Sequence, residues 1–187
     1  MNPSAAITPQ PRQPAPVSPV SGLGETVSQS LFTLINRQPI FKGLKTQQLQ
    51  LLANSALEIT FETGTTLFEE GSPANRFYLI LTGRVELSSE MEDRNVISIQ
   101  TLGPGDDLGW SWLFPPYSMH FTARALEPTA TIFFYGTRLR EQCEQDHEFG
   151  YQIMKRIAEV ATQSLRATQR RLMQYINQNI PGQPFSS

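Results

Sequence analysis

The sequence predicts a mainly β fold with α-helices: an antiparallel, jelly-roll-like β-roll flanked by short N-terminal helices and a long C-terminal helix. Three observations carry this prediction. Apolar residues alternate with polar ones within residues 56–135, turn motifs interrupt that stretch at short intervals, and the pattern becomes helical again after residue 136. Short strands separated by regular turns are typical of sandwiches and rolls. The 187 residues are enough for one well-buried domain.

The first 25 residues differ in composition from the rest of the chain. They contain six prolines among Ser, Ala, Gln and Gly. Such a segment buries too little apolar surface to offset its ordering entropy, so residues 1–25 are predicted to form a disordered tail. An extended peptide that docks on a protein partner is the alternative.

Residues 28–55 are predicted to form a helical lead-in of two short helices. The first runs from Ser28 to Asn36, and Pro39 ends it because the residue before a proline disfavours the helical conformation. The second runs from Thr46 to Asn54, with Thr46 as the candidate N-cap.

Residues 56–135 carry the period of two that predicts the β-roll. Its alternating apolar residues are expected to point inward: Leu57, Ile59, Phe61, Phe77, Leu79, Leu81, Val85 and Leu87. Glycines in the intervening turns are expected to supply positive φ: Gly64, Gly71, Gly83, Gly105 and Gly109.

Residues 137–179 are predicted to be helical, and residues 180–187 a flexible end. Thr137 to Cys143 can form a short helix, and Asp146 can cap a longer one that has Glu148 in its first turn. One apolar stripe on the long helix is predicted to pack on the roll: Phe149, Ile153, Ile157 and Val160.

A second stripe on the long helix has the alternating spacings of four and three that define a heptad seam. Its members are Met154, Ala158, Ala161, Leu165, Thr168, Leu172 and Tyr175. The seam predicts a homodimer through the C-terminal helix. The alternative is that the whole stripe covers the chain's own roll.

Composition and charge exclude several classes of protein. A net charge of -2 argues against a dedicated nucleic-acid surface, and no apolar run is long enough to cross a membrane. The single Cys143 excludes an internal disulfide and fits a reducing compartment, so a cytoplasmic location is expected. His120 and His147 are too few for a metal enzyme, and we expect no enzyme activity.

Two segments carry an ordered pattern of glycines and apolar residues: FETGTTLFEEGSPANRFYLILTGRV at 61–85 and LGPGDDLG at 102–109. With Arg124-Ala125, they resemble the cyclic-nucleotide-binding domain superfamily, which includes the sensor domain of the catabolite activator protein. The resemblance covers residues from about 30 to 177 and implies a β-roll sensor. That activator continues into a helix-turn-helix, whereas the few residues after Tyr175 include Pro181 and Gly182, so no DNA-binding module is expected.

The resemblance also implies where a ligand would bind. In the superfamily a Gly-Glu pair opens a short helix that holds the phosphate, and an arginine neutralises it. Trp110 stands here at the place of the glutamate and Met119 at that of the arginine. The implied ligand-binding residues are Gly109, Trp110, Ser111, His120, Thr122 and Ser164.

The sequence therefore predicts a non-catalytic regulatory or sensor module without cofactor or metal, whose ligand is a cyclic nucleotide or another small molecule. Trp110 and Trp112 can stack on a flat ligand, or they can pack as an apolar lid that fills the pocket. The second case predicts the alternative function, a ligand-free protein–protein interaction scaffold.

Overall fold

The computed structural model describes residues 24–91 and 95–179. Its α-helices are α1 Gly24–Asn36, α2 Thr46–Ser55, α3 Gly136–Gln145 and α4 His147–Asn179. Its strands are β1 Leu57–Phe61, β2 Thr66–Phe68, β3 Arg76–Thr82, β4 Val85–Glu90, β5 Val96–Leu102, β6 Asp107–Leu108, β7 Thr122–Ala125 and β8 Thr129–Tyr135. Two short 3-10 helices span Pro39–Phe41 and Trp110–Leu113.

The strands form two antiparallel four-stranded sheets, in the orders β1-β8-β3-β6 and β2-β7-β4-β5. This arrangement confirms the predicted β-roll with its long C-terminal helix. All five glycines predicted to have positive φ do so.

Strand β3 separates the two halves of the core because both of its faces are buried. Phe77 and Leu79 face the helices, whereas Tyr78 and Ile80 face the interior of the roll. Its run of aromatic and β-branched residues suits a strand that is covered on both sides.

The helices cover the first sheet on its outer side. Ile35 of α1, Phe41 of the first 3-10 helix and Phe149 of α4 belong to the same buried cluster as Phe77 and Phe134 of the sheet. This packing fixes the first part of α4 against the roll.

Three local predictions were wrong. Helix α1 begins at Gly24 rather than Ser28, so it includes the last two residues of the predicted tail; residues 1–23 and 180–187 lie outside the described residues. Lys45, not Thr46, is the N-cap of α2, and its backbone N–H donates to Gln48 Oε1 at 2.8 Å. Leu57 is 48% exposed because β1 is an edge strand of the first sheet.

Helix α4 begins as predicted, since Asp146 Oδ1 accepts the Phe149 N–H at 3.0 Å. Ile153 and Ile157 are buried against the body of the domain. The seam residues Leu165 and Leu172 are 59% and 56% exposed, and the side chain of Tyr175 lies outside those described. Within the described residues, no helix combines the length and apolarity that a membrane span requires.

Candidate ligand-binding site

A cavity of about 740 Å³ lies between the β-roll and α4. The 3-10 helix Trp110–Leu113 and its neighbours form one wall, and α4 forms the other. The cavity brings together five of the six predicted ligand-binding residues: Gly109, Trp110, Ser111, His120 and Ser164. The sequence prediction therefore converges on one place in the fold.

Gly109 sets the start of the 3-10 helix. Its backbone is left-handed, with φ 87° and ψ 21°. A Cβ at this position would collide with the Arg76 carbonyl oxygen, so both conformation and space require glycine. This close approach carries Trp110 and Ser111 to the cavity wall.

The two tryptophans have different surroundings. Trp112 is 1% exposed and packs edge-on against Phe77, with ring centroids 6.2 Å apart. Trp110 is only partly buried, lines the cavity and meets Phe114 edge-on at 6.3 Å. Trp112 is a core residue and Trp110 is a wall residue, so the two indoles do not form a shared lid that fills the cavity.

Ser111 and His120 form a hydrogen-bonded pair on the cavity wall. Ser111 Oγ lies 3.1 Å from His120 Nδ1, and the Trp110 ring centroid lies 6.4 Å from that of His120. The pair supplies hydrogen-bonding groups beside an aromatic surface.

Ser164 and Thr122, the remaining predicted ligand-binding residues, lie in different places. Ser164 lies on α4 and lines the cavity from the opposite side. Thr122 is outside the lining, and its Oγ1 accepts the Glu70 N–H at 3.0 Å. Thr122 therefore joins two chain segments in this structure, while Ser164 faces the space available to a ligand.

Asp107 is a wall residue that sequence reasoning missed. It lies on the edge strand β6 opposite Leu79, and its Oδ2 is buried without a hydrogen-bond partner among the described residues. Burial, with a smaller effect from the Asp106 carboxylate, raises the pKa of Asp107 to about 6. The available clue was a second acidic residue directly before the apolar Leu108.

Cationic groups on the cavity wall are few or already engaged. Met119 is 2% exposed and places an apolar side chain there. Arg156 donates from Nε to the Lys42 carbonyl at 3.1 Å and from Nη1 to Glu159 at 2.7 Å. Arg170 lies fourteen residues further along α4, about 21 Å away along the helix axis.

The cavity has the composition of a small-molecule binding site. It combines apolar side chains, an aromatic ring and a few polar groups, as small-molecule sites generally do. Within the described ranges, no group of three or more His, Cys, Asp or Glu residues is arranged to hold a metal ion.

Comparisons with known proteins agree with this fold. The family model described as "Cyclic nucleotide-binding domain" matches residues 58–146. The crystal structure of a putative cyclic nucleotide-binding protein from Geobacter metallireducens is 30% identical, with a TM-score of 0.64; the match covers 74% of this chain and 97% of that one. This chain belongs to the cyclic nucleotide-binding domain family.

A curated regulator and a further solved structure are also similar to this chain. A CRP-like cAMP-activated global transcriptional regulator from Mycobacterium tuberculosis is 25% identical over 149 residues, which are 80% of this chain and 65% of the regulator. The chain thus spans less than two thirds of that curated relative. A cyclic nucleotide-binding domain from Methylobacillus flagellatus shares the fold at 18% identity, with a TM-score of 0.67 over 82% of this chain and 86% of that one.

Proposed function

We propose that this cyclic nucleotide-binding domain is a non-catalytic sensor module that binds a small ligand in the cavity and signals through α4. Its family membership and the regulator from Mycobacterium support a regulatory role. The observation that carries the proposal is that α4 forms one wall of the cavity, so a bound ligand would contact the helix directly.

Leu165 connects the cavity to the seam. Its side chain lines the cavity and also belongs to the exposed heptad stripe. A ligand that displaces Leu165 would therefore change the surface that the seam offers to another copy. We include a homodimer through α4 in the proposal because exposed leucines at heptad spacing favour helix pairing.

Polar contacts hold the beginning of α4 against the domain. The later part of the helix is therefore the part that we expect to move when a ligand binds. Lys45 Nζ lies 2.6 Å from Glu148 Oε2, and Gln48 Nε2 donates to Asp146 Oδ2 at 2.7 Å. The hydrogen bond from Arg156 to the Lys42 carbonyl adds a third link. When a ligand displaces a helix that is held at one end, the other end moves, as in a hinge motion.

A cavity-filling substitution tests the proposal. Ser164→Trp places an indole in the cavity, and Thr162→Trp places one on the same helix outside the lining. Calorimetric titration with a panel of cyclic mono- and dinucleotides, uncharged nucleosides and planar amines should give saturable heat for at least one compound with the wild-type chain and Thr162→Trp. Ser164→Trp should lose it.

The second candidate function is a ligand-free protein–protein interaction scaffold. The exposure of Leu165 and Leu172 favours it, because an apolar seam serves association with or without a ligand. A stable dimer that gives no heat and no thermal shift with any compound at millimolar concentration would support the scaffold and contradict the sensor.

A further inference from the structure

We infer that the cavity selects a flat, largely apolar ligand with a cationic or N–H-rich group, and that Asp107 pairs with that group. This inference rests on the proposed function, since it names the class of ligand for the same cavity. It differs from phosphate recognition, in which the anchoring group of the ligand is an anion.

Strand β6 positions Asp107 in the cavity wall, with one carboxyl oxygen left without a hydrogen-bond partner among the described residues. Strand β6 pairs with β3 so that Asp107 stands opposite Leu79, while the next residue, Leu108, faces the interior of the roll. Asp107 lines the cavity. Its Oδ2 is shielded from solvent and has no partner among the residues described, so a ligand contacts this oxygen when the carboxyl group turns toward the cavity. A buried acceptor without a partner is destabilising, and a hydrogen bond to a ligand donor would therefore favour that turn.

Among the described residues, no ion pair neutralises the Asp107 carboxylate, and Arg170 of the lining lies about 21 Å along α4 from Arg156. Asp106 adds negative charge on the adjacent turn, and its Oδ2 accepts the Gly103 N–H at 2.8 Å. On the facing helix, the Arg156 guanidinium is paired with Glu159. A phosphate would meet this acidic wall unfavourably, whereas a protonated amine or an amidine would form a charge-assisted hydrogen bond.

The rest of the wall suits the apolar body of such a ligand. Trp110 presents a partly buried indole, and Phe68, Leu102 and Val160 add apolar surface from the roll and α4. Aromatic faces also attract cations. A planar amine would therefore bind more tightly through contacts with both the Trp110 indole and the Asp107 carboxylate.

Two indole probes of opposite charge test the class of ligand. Tryptamine carries an ammonium group, and indole-3-propionate carries a carboxylate on a similar scaffold. Calorimetry on the wild-type chain at pH 7.5 should detect saturable millimolar or tighter binding of tryptamine. It should detect binding at least tenfold weaker for indole-3-propionate and for cyclic AMP.

Two matched substitutions test the role of Asp107. Asp107→Asn should weaken tryptamine binding about tenfold, as expected for the loss of a charge-assisted contact. Glu58→Gln removes the same charge from an exposed position on β1, outside the cavity lining, and should leave the affinity unchanged. The probe comparison on the wild-type chain applies even if Asp107→Asn does not fold.

The outcomes separate this inference from the proposed function. Equal tryptamine affinity in the wild type and Asp107→Asn would overturn the role of Asp107. Binding of indole-3-propionate or cyclic AMP as tight as that of tryptamine, with loss in Ser164→Trp, would overturn the ligand class and leave the sensor function standing. If none of the three probes binds, the ligand class is wrong, and the calorimetric panel with Ser164→Trp decides the sensor function separately.

Discussion

Ser111 Oγ and His120 Nδ1 lie 3.1 Å apart, and this contact joins the 3-10 helix Trp110–Leu113 to the segment that precedes β7. Ser111 is buried, whereas His120 is exposed. The hydrogen bond therefore fixes the orientation of an accessible imidazole beside Trp110. The cavity wall is in part pre-organised before a ligand arrives.

The Ser111–His120 pair should show energetic coupling. In a double-mutant cycle with Ser111→Ala and His120→Ala, we expect a coupling free energy of about 0.5–1.5 kcal/mol, because each single change removes the same hydrogen bond. Urea unfolding of the four proteins measures it. Additivity within about 0.3 kcal/mol would show that the contact does not form in solution.

Asp107 should make stability depend on pH. Its folded pKa of about 6 lies above the ordinary value of 3.8, so the folded state binds the proton more tightly than the unfolded state. This group therefore lowers the free energy of unfolding as pH rises from about 4 to about 6, and the loss persists at higher pH. Asp107→Asn lacks this titration.

The stability difference between Asp107→Asn and the wild type should thus move in favour of the variant by about 1–3 kcal/mol between pH 4 and pH 7. Chemical unfolding at several pH values measures this difference. Glu58→Gln is the control and should show a much smaller change. A difference for Asp107→Asn that is constant across the pH range would contradict the assigned burial of the carboxyl.

Gly83 and Gly64 offer a matched test of close packing. Both residues have positive φ, 87° at Gly83 and 82° at Gly64. A Cβ at Gly83 would meet the Thr129 side chain and lie 2.6 Å from the Pro128 carbonyl oxygen. A Cβ at Gly64 would meet nothing within 4 Å. Gly64→Ala should cost about 1–2 kcal/mol of stability from backbone strain alone. Gly83→Ala should cost about 1–3 kcal/mol more. Equal losses in thermal or urea unfolding would contradict the described turn.

The α4 seam should control association. Leu172→Glu places a charge in the exposed heptad stripe, whereas Gln174→Glu adds the same charge on the same helix outside the stripe. Light scattering should report a dimer for the wild type and Gln174→Glu, and a monomer for Leu172→Glu. A dimer that survives Leu172→Glu would place the interface elsewhere.

Much of the fold could be predicted because local chemistry and burial agree. The turn glycines have the positive φ expected of them, and Asp146 caps α4 as its residue type and position indicated. The exposure of Leu57 could not be predicted, since a period of two does not reveal which strand lies at a sheet edge. The cap of α2 was missed because Gln48 supplies the acceptor from inside the helix.

Five of the six predicted site residues line one cavity, whereas the acidic Asp107 in the same wall was not predicted. A linear pattern located Gly109, Ser111 and His120, which one turn and its neighbouring segment bring together. Asp107 was missed because its burial depends on the pairing of β6 with β3, which is a tertiary contact. The different surroundings of Trp110 and Trp112 likewise depend on which side of the 3-10 helix packs against the core.

Hydrogen exchange of the α4 amides, with and without a ligand that gives saturable heat, tests the central claim most directly. If the cavity is a sensor site, occupancy should change protection by severalfold within residues 156–168, where α4 lines the cavity, and further along the helix, while residues 147–153 stay as they were. Unchanged exchange throughout α4 at full occupancy would contradict a signal that travels through this helix.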